Sequence, residues 1–343
     1  MAAIVYHAPF PLDREASSAS GVRPVRMLDA FRELGYTVLD VTGSARERSR
    51  RLRALRDRLQ GGERIEFLYS ECATMPTMLA DPRHLPPHPF VDPALMRLMH
   101  QHGVPTSLFY RDIYWAFPDY RERVGAALAT AMGCVYRYDL AWYSRYIDRL
   151  YLPSMRMGAH VPGFPEERMA PLPPGCEIVD EAPSSRPDQW ETAGDQYADL
   201  VEASGGRIEV VHRSGEELTA LYERADLCVL FVEPDPYREF ASPVKLYEYL
   251  GRGKPVIASQ GTLAAEVVGA AGAGWTLPYD AGELSGLLRG LLERPQEVAE
   301  AAGRAREARQ EHTWLSRART VAQDMQAVRA GALARTLRAG GNR

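Results

Sequence analysis

The sequence predicts an α/β fold: two domains, each a parallel sheet flanked by helices. Three observations carry this expectation. The chain has 343 residues, more than one ordinary core takes and enough for two domains of about 150 residues each. Short apolar runs alternate with helical spacings in both halves, the order that parallel strands joined by crossover helices produce. A rigid, turn-rich stretch, Leu172 to Gly175 (LPPG), interrupts the alternation and reads as the junction. The expected domains are 1–170 and 171–343, with the final helices packing back toward the first.

The elements follow in order. Ala3 to His7 reads as a buried strand, and a polar loop runs from Pro9 to Gly21. Pro24 is placed near the first turn of a helix, where its missing N–H costs nothing. Val25, Leu28, Phe31 and Leu34 carry that helix forward and Gly35 stops it. Tyr36 to Val41 is the next strand. Ser44 and Glu47 form a capping-box pattern that opens a helix through about Leu59. Ile65 to Tyr69 and Thr106 to Tyr110 read as strands, with a helix near Pro93 to His102 between them, and Leu150 to Leu152 as a last strand. In the second half, Arg207 to His212, Leu227 to Val232 and Pro255 to Ser259 read as strands. Gly215 to Arg224 and Val244 to Gly251 read as helices, and long helical patterns close the chain.

Composition narrows the function classes. Apolar content of 45% and charged content of 25% are ordinary for a globular protein. A net charge of -4 gives no electrostatic case for nucleic acid. No apolar run approaches the roughly 20 residues that span a bilayer, and the N-terminus has no signal-peptide pattern. The four cysteines are far apart and form no CxxC pair, which fits a reducing cytoplasm better than a disulfide framework. His84 and His88 are separated by two prolines, so they cannot pair along a helix, and no metal is expected. Neither a GxSxG elbow, a Walker loop nor a GxGxxG turn is present, against hydrolase, P-loop and ordinary nicotinamide chemistry.

The segment Arg238 to Ser259, REFASPVKLYEYLGRGKPVIAS, is the richest in chemistry. It reads as a loop, a short helix, a glycine stop and a buried strand. Ser242 and Pro243 suit the start of that helix, whose free N–H groups and dipole favour an anion such as a diphosphate. Glu248, one to two turns on, is placed to accept both hydroxyls of a ribose, and Lys245 to offer a cation to the phosphates. The chain holds only two lysines, Lys245 and Lys254, and both lie here. The plain alternative is an amphipathic helix with Val244, Leu246, Tyr247 and Leu250 in the core and Lys245 paired with Glu248 on the surface.

The string SPVKLYEYLGRGKPVIAS resembles the donor-binding motif of GT-B-fold glycosyltransferases, especially the retaining, bacterial members of family four. GTLAAEVV after it, VVHRSGEELTALYERADLCVLF before it and the N-terminal PFPLDREASSASGVRPVRMLDAFRELGYTVLDVT fit the same order, so the likeness spans most of the chain. It implies two Rossmann-like domains with a cleft between them, 1–170 on the acceptor side and 171–343 on the nucleotide-sugar side. It further implies a cytoplasmic hexosyltransferase of polysaccharide or glycoconjugate biosynthesis that uses a UDP or GDP sugar without a metal. By resemblance Glu248 holds the donor ribose, Arg213 lies near the nucleotide or its phosphates, and Gly21 joins the donor-binding residues. The family's second glutamate, eight residues earlier, is Phe240 here, and the nearest acid, Glu239, is the candidate for its catalytic role. Between Cys176 and Arg207 only Glu177 to Val179 reads as a very short strand and no Gly-rich turn follows it, so the second domain reads as shortened by about one strand-helix unit.

On the acceptor side, Tyr110 to Tyr120 (YRDIYWAFPDY) follows a strand, where α/β ligands collect. Tyr110, Tyr114 and Trp115 offer rings to a sugar face, and Arg111 and Asp112 offer polar groups, with Asp112 the candidate catalytic acid. The alternative is Asp112 as a helix cap and the rings as packing. Glu71, also after a strand, is a second candidate base should the reaction invert. The helix 44–59 carries seven arginines and the stripe Leu52, Leu55, Leu59, which suits peripheral contact with anionic lipid near a lipid-linked acceptor, or simply a solvated face. Two other functions share these features: a sugar-nucleotide epimerase, and a non-catalytic relative that binds a nucleotide sugar or a partner.

Overall fold

The computed structural model describes residues 2–16, 19–81, 84–85, 87–180, 190–192, 202, 205, 208–210 and 218–340. The chain divides into two units. The first comprises Met1–Gly175, Pro236–Ser242 and Trp314–Arg343; the second comprises Cys176–Asp235 and Pro243–Thr313.

The first unit is built on six parallel strands: β1 (Ala3–His7), β2 (Thr37–Val41), β3 (Ile65–Glu71), β4 (Thr106–Phe109), β5 (Arg149–Leu152) and β6 (Met169–Pro171). They lie in the order β2-β1-β3-β4-β5-β6. Successive side chains face opposite layers, as strand geometry requires. Val5, Leu68, Leu108, Leu150 and Leu152 enter the layer covered by α2 (Ala45–Gln60), α3 (Val91–Gln101) and α5 (Ala126–Tyr146). Ile4, Tyr6, Phe67, Tyr69, Phe109 and Tyr151 enter the other, where α1 (Ala19–Glu33) and the last helix, Trp314–Gly340, contribute Phe31 and Val321. The last helix therefore belongs to the first unit. A short helix, α4 (Pro118–Val124), precedes α5 and is separated from it by Gly125 at φ 86°.

Local chemistry sets the helix ends. Ser44 Oγ accepts from the Glu47 amide and the Glu47 carboxylate accepts from the Ser44 amide, so the expected capping box forms. Pro24 departs from expectation. Helix α1 begins at Ala19, so Pro24 sits in its interior rather than its first turn. A proline there removes the N–H that would bond the carbonyl four residues back, that of Ser20.

The second unit has a parallel sheet of β9 (Cys228–Leu230), β10 (Val256–Ser259) and β11 (Gly274–Leu277) in the order β11-β10-β9, and a parallel pair of β7 (Trp190–Thr192) with β8 (Ile208–Val210). Its helices are α6 (Thr219–Arg224), α7 (Val244–Gly251), α8 (Leu263–Ala271), α9 (Ala281–Glu293) and α10 (Pro295–Ala308). Leu246, Tyr247 and Leu250 of α7 pack with Val256, Ala258, Val268 and Ala305. Gly274 has φ 150°, and a side chain there would overlap the Val256 carbonyl, which is why the β10-β11 pair needs glycine at this point.

Two readings of 176–207 change. Glu177 to Val179 is not a strand but a strap on the end of α7: Val179 N donates to Gly251 O at 3.1 Å, and Cys176 N to His312 O at 2.7 Å. Strand β7 lies in the segment that showed no strand pattern; the flanking residues 181–189 and 193–201 lie outside those described.

Candidate functional site

In the first unit the strand order reverses between β1 and β3, since β2 lies to one side of β1 and β3, β4 and β5 to the other. In such sheets ligands collect where the loops diverge at the carboxyl ends of the strands. A cavity of about 330 Å³ opens there, lined among others by Phe10, Leu12 and Asp13 after β1, Gly21 at the start of α1, Thr74 after β3 and Arg111 after β4. Gly21 and Arg111, read separately from the sequence, meet in this cavity.

Arg111 is held by the main chain. Its Nη1 donates to the Ser20 carbonyl at 2.9 Å, four residues before Pro24. Its Nη2 lies 3.6 Å from Glu71 Oε2, too long for a hydrogen bond. Glu71 is fully buried, and its Oε1 accepts from Tyr69 OH at 2.6 Å and from Arg23 Nε at 3.1 Å. Arg23 in turn covers the Phe109 ring, with Cζ 3.4 Å from the centroid. Glu71, expected as an accessible base, is instead the centre of a buried cluster with two guanidinium groups.

The Tyr110 to Tyr120 segment also changes role. Tyr110 and Trp115 are 5% and 7% exposed, Trp115 Nε1 donates to Tyr110 OH at 3.0 Å, and Trp115 stacks on Tyr136 at 4.9 Å. These rings fill the core and do not present faces to a sugar. Tyr114 is half-buried and its hydroxyl pairs with that of Tyr136 at 2.8 Å. Asp112 takes the capping role: Oδ1 accepts from the Tyr114 amide at 3.0 Å and Oδ2 from Tyr237 OH at 2.9 Å. Burial raises its pKa, while the Tyr237 hydrogen bond opposes the rise. Asp112 thus anchors the loop Pro236–Ser242 to its own unit. Phe240 is buried in that loop against Phe117, His160 and Tyr237, whereas Glu239 is exposed.

A polar network under the sheet escaped the sequence reading. His7 bonds Ser70 Oγ at 2.8 Å and Asp92 Oδ1 at 2.9 Å, and Asp92 also accepts from Arg48 Nε at 2.7 Å. All four residues are 2% exposed or less, so the Ser-His-Asp order supports the core and is closed to substrate. Arg48, one of the seven arginines of α2, is therefore not on a solvated face. Leu52, Leu55 and Leu59 are core residues as well, which withdraws the apolar stripe from any lipid surface.

In the second unit α7 follows the loop that leaves the carboxyl end of β9. Its N-cap is Pro243, one residue later than Ser242, and no side chain caps it. The division between units falls between Ser242 and Pro243. Lys245 is exposed and Glu248 half-buried. Burial raises the Glu248 pKa, and Lys245, Arg252 and a hydrogen bond from the Tyr222 side chain pull the other way. Tyr222 stands between Arg252, whose Cζ is 4.4 Å from its ring, and the edge of Tyr249. Glu248 therefore faces α6 and a cationic surround rather than open water. Lys254 is 8% exposed and its charge acts on Asp226, so the two lysines are not equivalent. Ser259 Oγ accepts from the Val232 amide at 2.8 Å and its carbonyl from Thr262 Oγ1 at 2.7 Å, fixing the end of β10. Arg213 lies outside the described residues.

The fold superposes on known structures along nearly its whole length. A sucrose-phosphate synthase from Thermosynechococcus elongatus matches with a TM-score of 0.60 at 12% identity, covering 96% of this chain and 100% of that one. HepE of Anabaena, in a complex with UDP, matches with a TM-score of 0.58 at 12% identity, covering 95% and 100%. The chain has the GT-B glycosyltransferase fold. WaaG, a glycosyltransferase involved in lipopolysaccharide biosynthesis, matches with a TM-score of 0.54 at 15% identity over 94% and 99%. Residues 176–323 match a family model described as glycosyl transferase-like. No curated protein matches the sequence. The matched span contains α7, β10 and Glu248, so the family evidence and the GT-B fold together support glycosyl transfer as the reaction class. Among the described residues no helix is long and apolar enough to cross a membrane, and no group of three or more His, Cys, Asp or Glu is placed to hold a metal ion.

Proposed function

We propose that this GT-B protein transfers a sugar from a nucleoside-diphosphate donor to a saccharide, lipid-linked or small-molecule acceptor, with retention of configuration. The observation that carries the reading is Glu248: a half-buried carboxylate on α7, flanked by Lys245, Arg252 and Tyr222, within the stretch that matches the glycosyl transferase-like family. A carboxylate accepts two hydrogen bonds from a cis-diol, and the uncapped amides at the start of α7 suit a diphosphate. That HepE of Anabaena was solved with UDP and with UDP-glucose supports a nucleotide sugar as the donor. Lys245, Arg213 and the α7 amides then stabilise the leaving diphosphate, and the cavity beside Arg111 receives the acceptor.

Thermal-shift titration with UDP, GDP and their glucose conjugates tests this. A nucleotide that stabilises the protein, with the stabilisation lost in Glu248→Ala, is the expected result. An unchanged shift in that variant rejects the donor site. A transfer or hydrolysis assay with the same nucleotide sugar then separates transferase from binder.

One observation favours a second reading, a binder without transfer. The position eight residues before Glu248 holds Phe240, and that ring is packed among Phe117, His160 and Tyr237. A nucleotide-induced shift with no turnover of any sugar conjugate would select it.

A further inference from the structure

We propose that Asp112 serves the reaction as a positioning residue and not as a proton-transfer group: by holding Tyr237 it fixes the loop Pro236–Ser242 and, through that loop, the start of α7. This rests on the donor reading above and adds a residue to it.

The first observation is how the loop is held. It belongs to the first unit, and its ties come from the ends of two paired strands, β4 and β5. Just after β4, Asp112 Oδ2 accepts from Tyr237 OH at 2.9 Å. Just after β5, the buried Ser154 Oγ donates to the Phe240 carbonyl at 2.7 Å, and Arg156 Nη1 donates to the Glu239 carbonyl at 3.4 Å. The Phe240 ring is packed against Phe117 and His160, with centroids 5.6 and 5.2 Å away. Within the loop the Ala241 amide donates to the Tyr237 carbonyl at 3.0 Å, so the residue that Asp112 grips is also the hinge point of the turn before α7.

The second observation is what the loop leads into. Ser242 is followed by Pro243, the N-cap of α7, and no side chain caps that end. A helix of eight residues gains too little from its own hydrogen bonds to keep its first turn closed. Leu246, Tyr247 and Leu250 hold its inner face in the second unit's core, so the entering backbone is left to the loop. A nucleotide that needs the first amides in one arrangement binds more weakly in proportion to the molecules that lack it.

The third observation is the state of the carboxylate itself. Oδ1 accepts from the Tyr114 amide at 3.0 Å and Oδ2 from the Tyr237 hydroxyl, so each oxygen is engaged by the chain. A general acid or base needs an oxygen within hydrogen-bond reach of its substrate, whereas a tether needs both where they are. Asparagine separates the two roles. Its oxygen accepts from the Tyr114 amide and its NH2 donates to the Tyr237 hydroxyl oxygen, yet it has no proton to exchange.

Amide hydrogen exchange of the unliganded full chain, joined to calorimetric titration of UDP, tests the assignment. Tyr237→Phe and Asp112→Ala each break the tie, and Ser154→Ala loosens the other end of the loop without touching Asp112. In all three, exchange over residues 237–248 should quicken about tenfold or more while β1 and β5 keep their protection. Asp112→Asn should recover most of the protection that Asp112→Ala loses. UDP affinity should follow the same order, and with UDP-glucose as substrate the three loosened variants should raise KM and leave kcat within a few-fold. Unchanged exchange in Tyr237→Phe or Ser154→Ala, equal quickening throughout the first unit, or no rescue by Asp112→Asn overturns the proposal. So does local quickening with UDP affinity unchanged. Asp112→Asn with UDP affinity recovered and kcat still down a hundredfold or more overturns it by making Asp112 the proton-transfer group. Should the wild type bind no UDP, the donor reading fails by itself, and the exchange pattern alone decides whether Asp112 holds the start of α7.

Discussion

Asp139 offers a quantitative test of the first unit. It lies on α5, almost wholly buried, with Oδ2 accepting from the Thr77 amide at 2.6 Å and Oδ1 from Trp142 Nε1 at 3.1 Å. Through Thr77 it fixes the loop after β3 that lines the cavity at Thr74. Burial is the largest influence on its carboxyl and outweighs these hydrogen bonds, so its pKa rises from 3.8 to about 6. The folded state thus binds this proton more tightly than the unfolded chain does. Stability from this group is fully present below about pH 4 and is lost as pH rises through about 6. At about 1.4 kcal/mol per pH unit, the loss amounts to about 3 kcal/mol by pH 7. Asp139→Asn has no proton to release. Other carboxylates contribute to both proteins alike, so the difference between wild type and variant isolates Asp139. Urea unfolding from pH 4 to pH 7, followed by tryptophan fluorescence, which includes the neighbouring Trp142, measures it. The wild type should lose about 2.4 kcal/mol relative to Asp139→Asn over that range. A difference that stays flat with pH refutes the account of this buried carboxylate.

Asp92→Ala should destabilise the first unit by about 3–5 kcal/mol in urea unfolding, because it leaves the buried Arg48 guanidinium without its carboxylate; a loss under 1 kcal/mol would show that the pair is dispensable. Converting the exposed Arg46, Arg50, Arg53 and Arg56 to Gln should abolish sedimentation with phosphatidylserine vesicles at low salt while leaving the unfolding midpoint unchanged, since these side chains face outward and the leucines of α2 do not. Equal sedimentation of the two proteins would remove α2 from any membrane role.

Patterns local in sequence were legible. Strands β1 to β5 of the first unit announced themselves as apolar runs, whereas the three-residue β6 did not, and the Ser44 to Glu47 capping box was a four-residue pattern, because each depends on neighbours within one turn or one strand. The α7 segment was legible for the same reason, and Leu246, Tyr247 and Leu250 occupy the core as their spacing requires. What escaped depends on distant partners. Arg48 looks like its six helical companions, and only Asp92, 44 residues away, makes it a core residue. Asp112 reads equally as catalyst or cap until Tyr237, 125 residues away, occupies its second oxygen. Strand β7, at Trp190–Thr192, has three residues and shows no period to count. The cavity had no motif because it is made by strand order, and the residues Phe10, Thr74 and Arg111 come together only when β1, β3 and β4 lie side by side.

Pro24 shows how little is needed to create a fixture. One backbone hydrogen is missing inside α1, and the carbonyl four residues before it is the resting place of a guanidinium from far along the chain. Because that resting place is main chain, the contact itself does not pass through the side chain at position 20. The ring at position 24 does bear on it: an alanine there would offer that carbonyl a second donor beside Arg111.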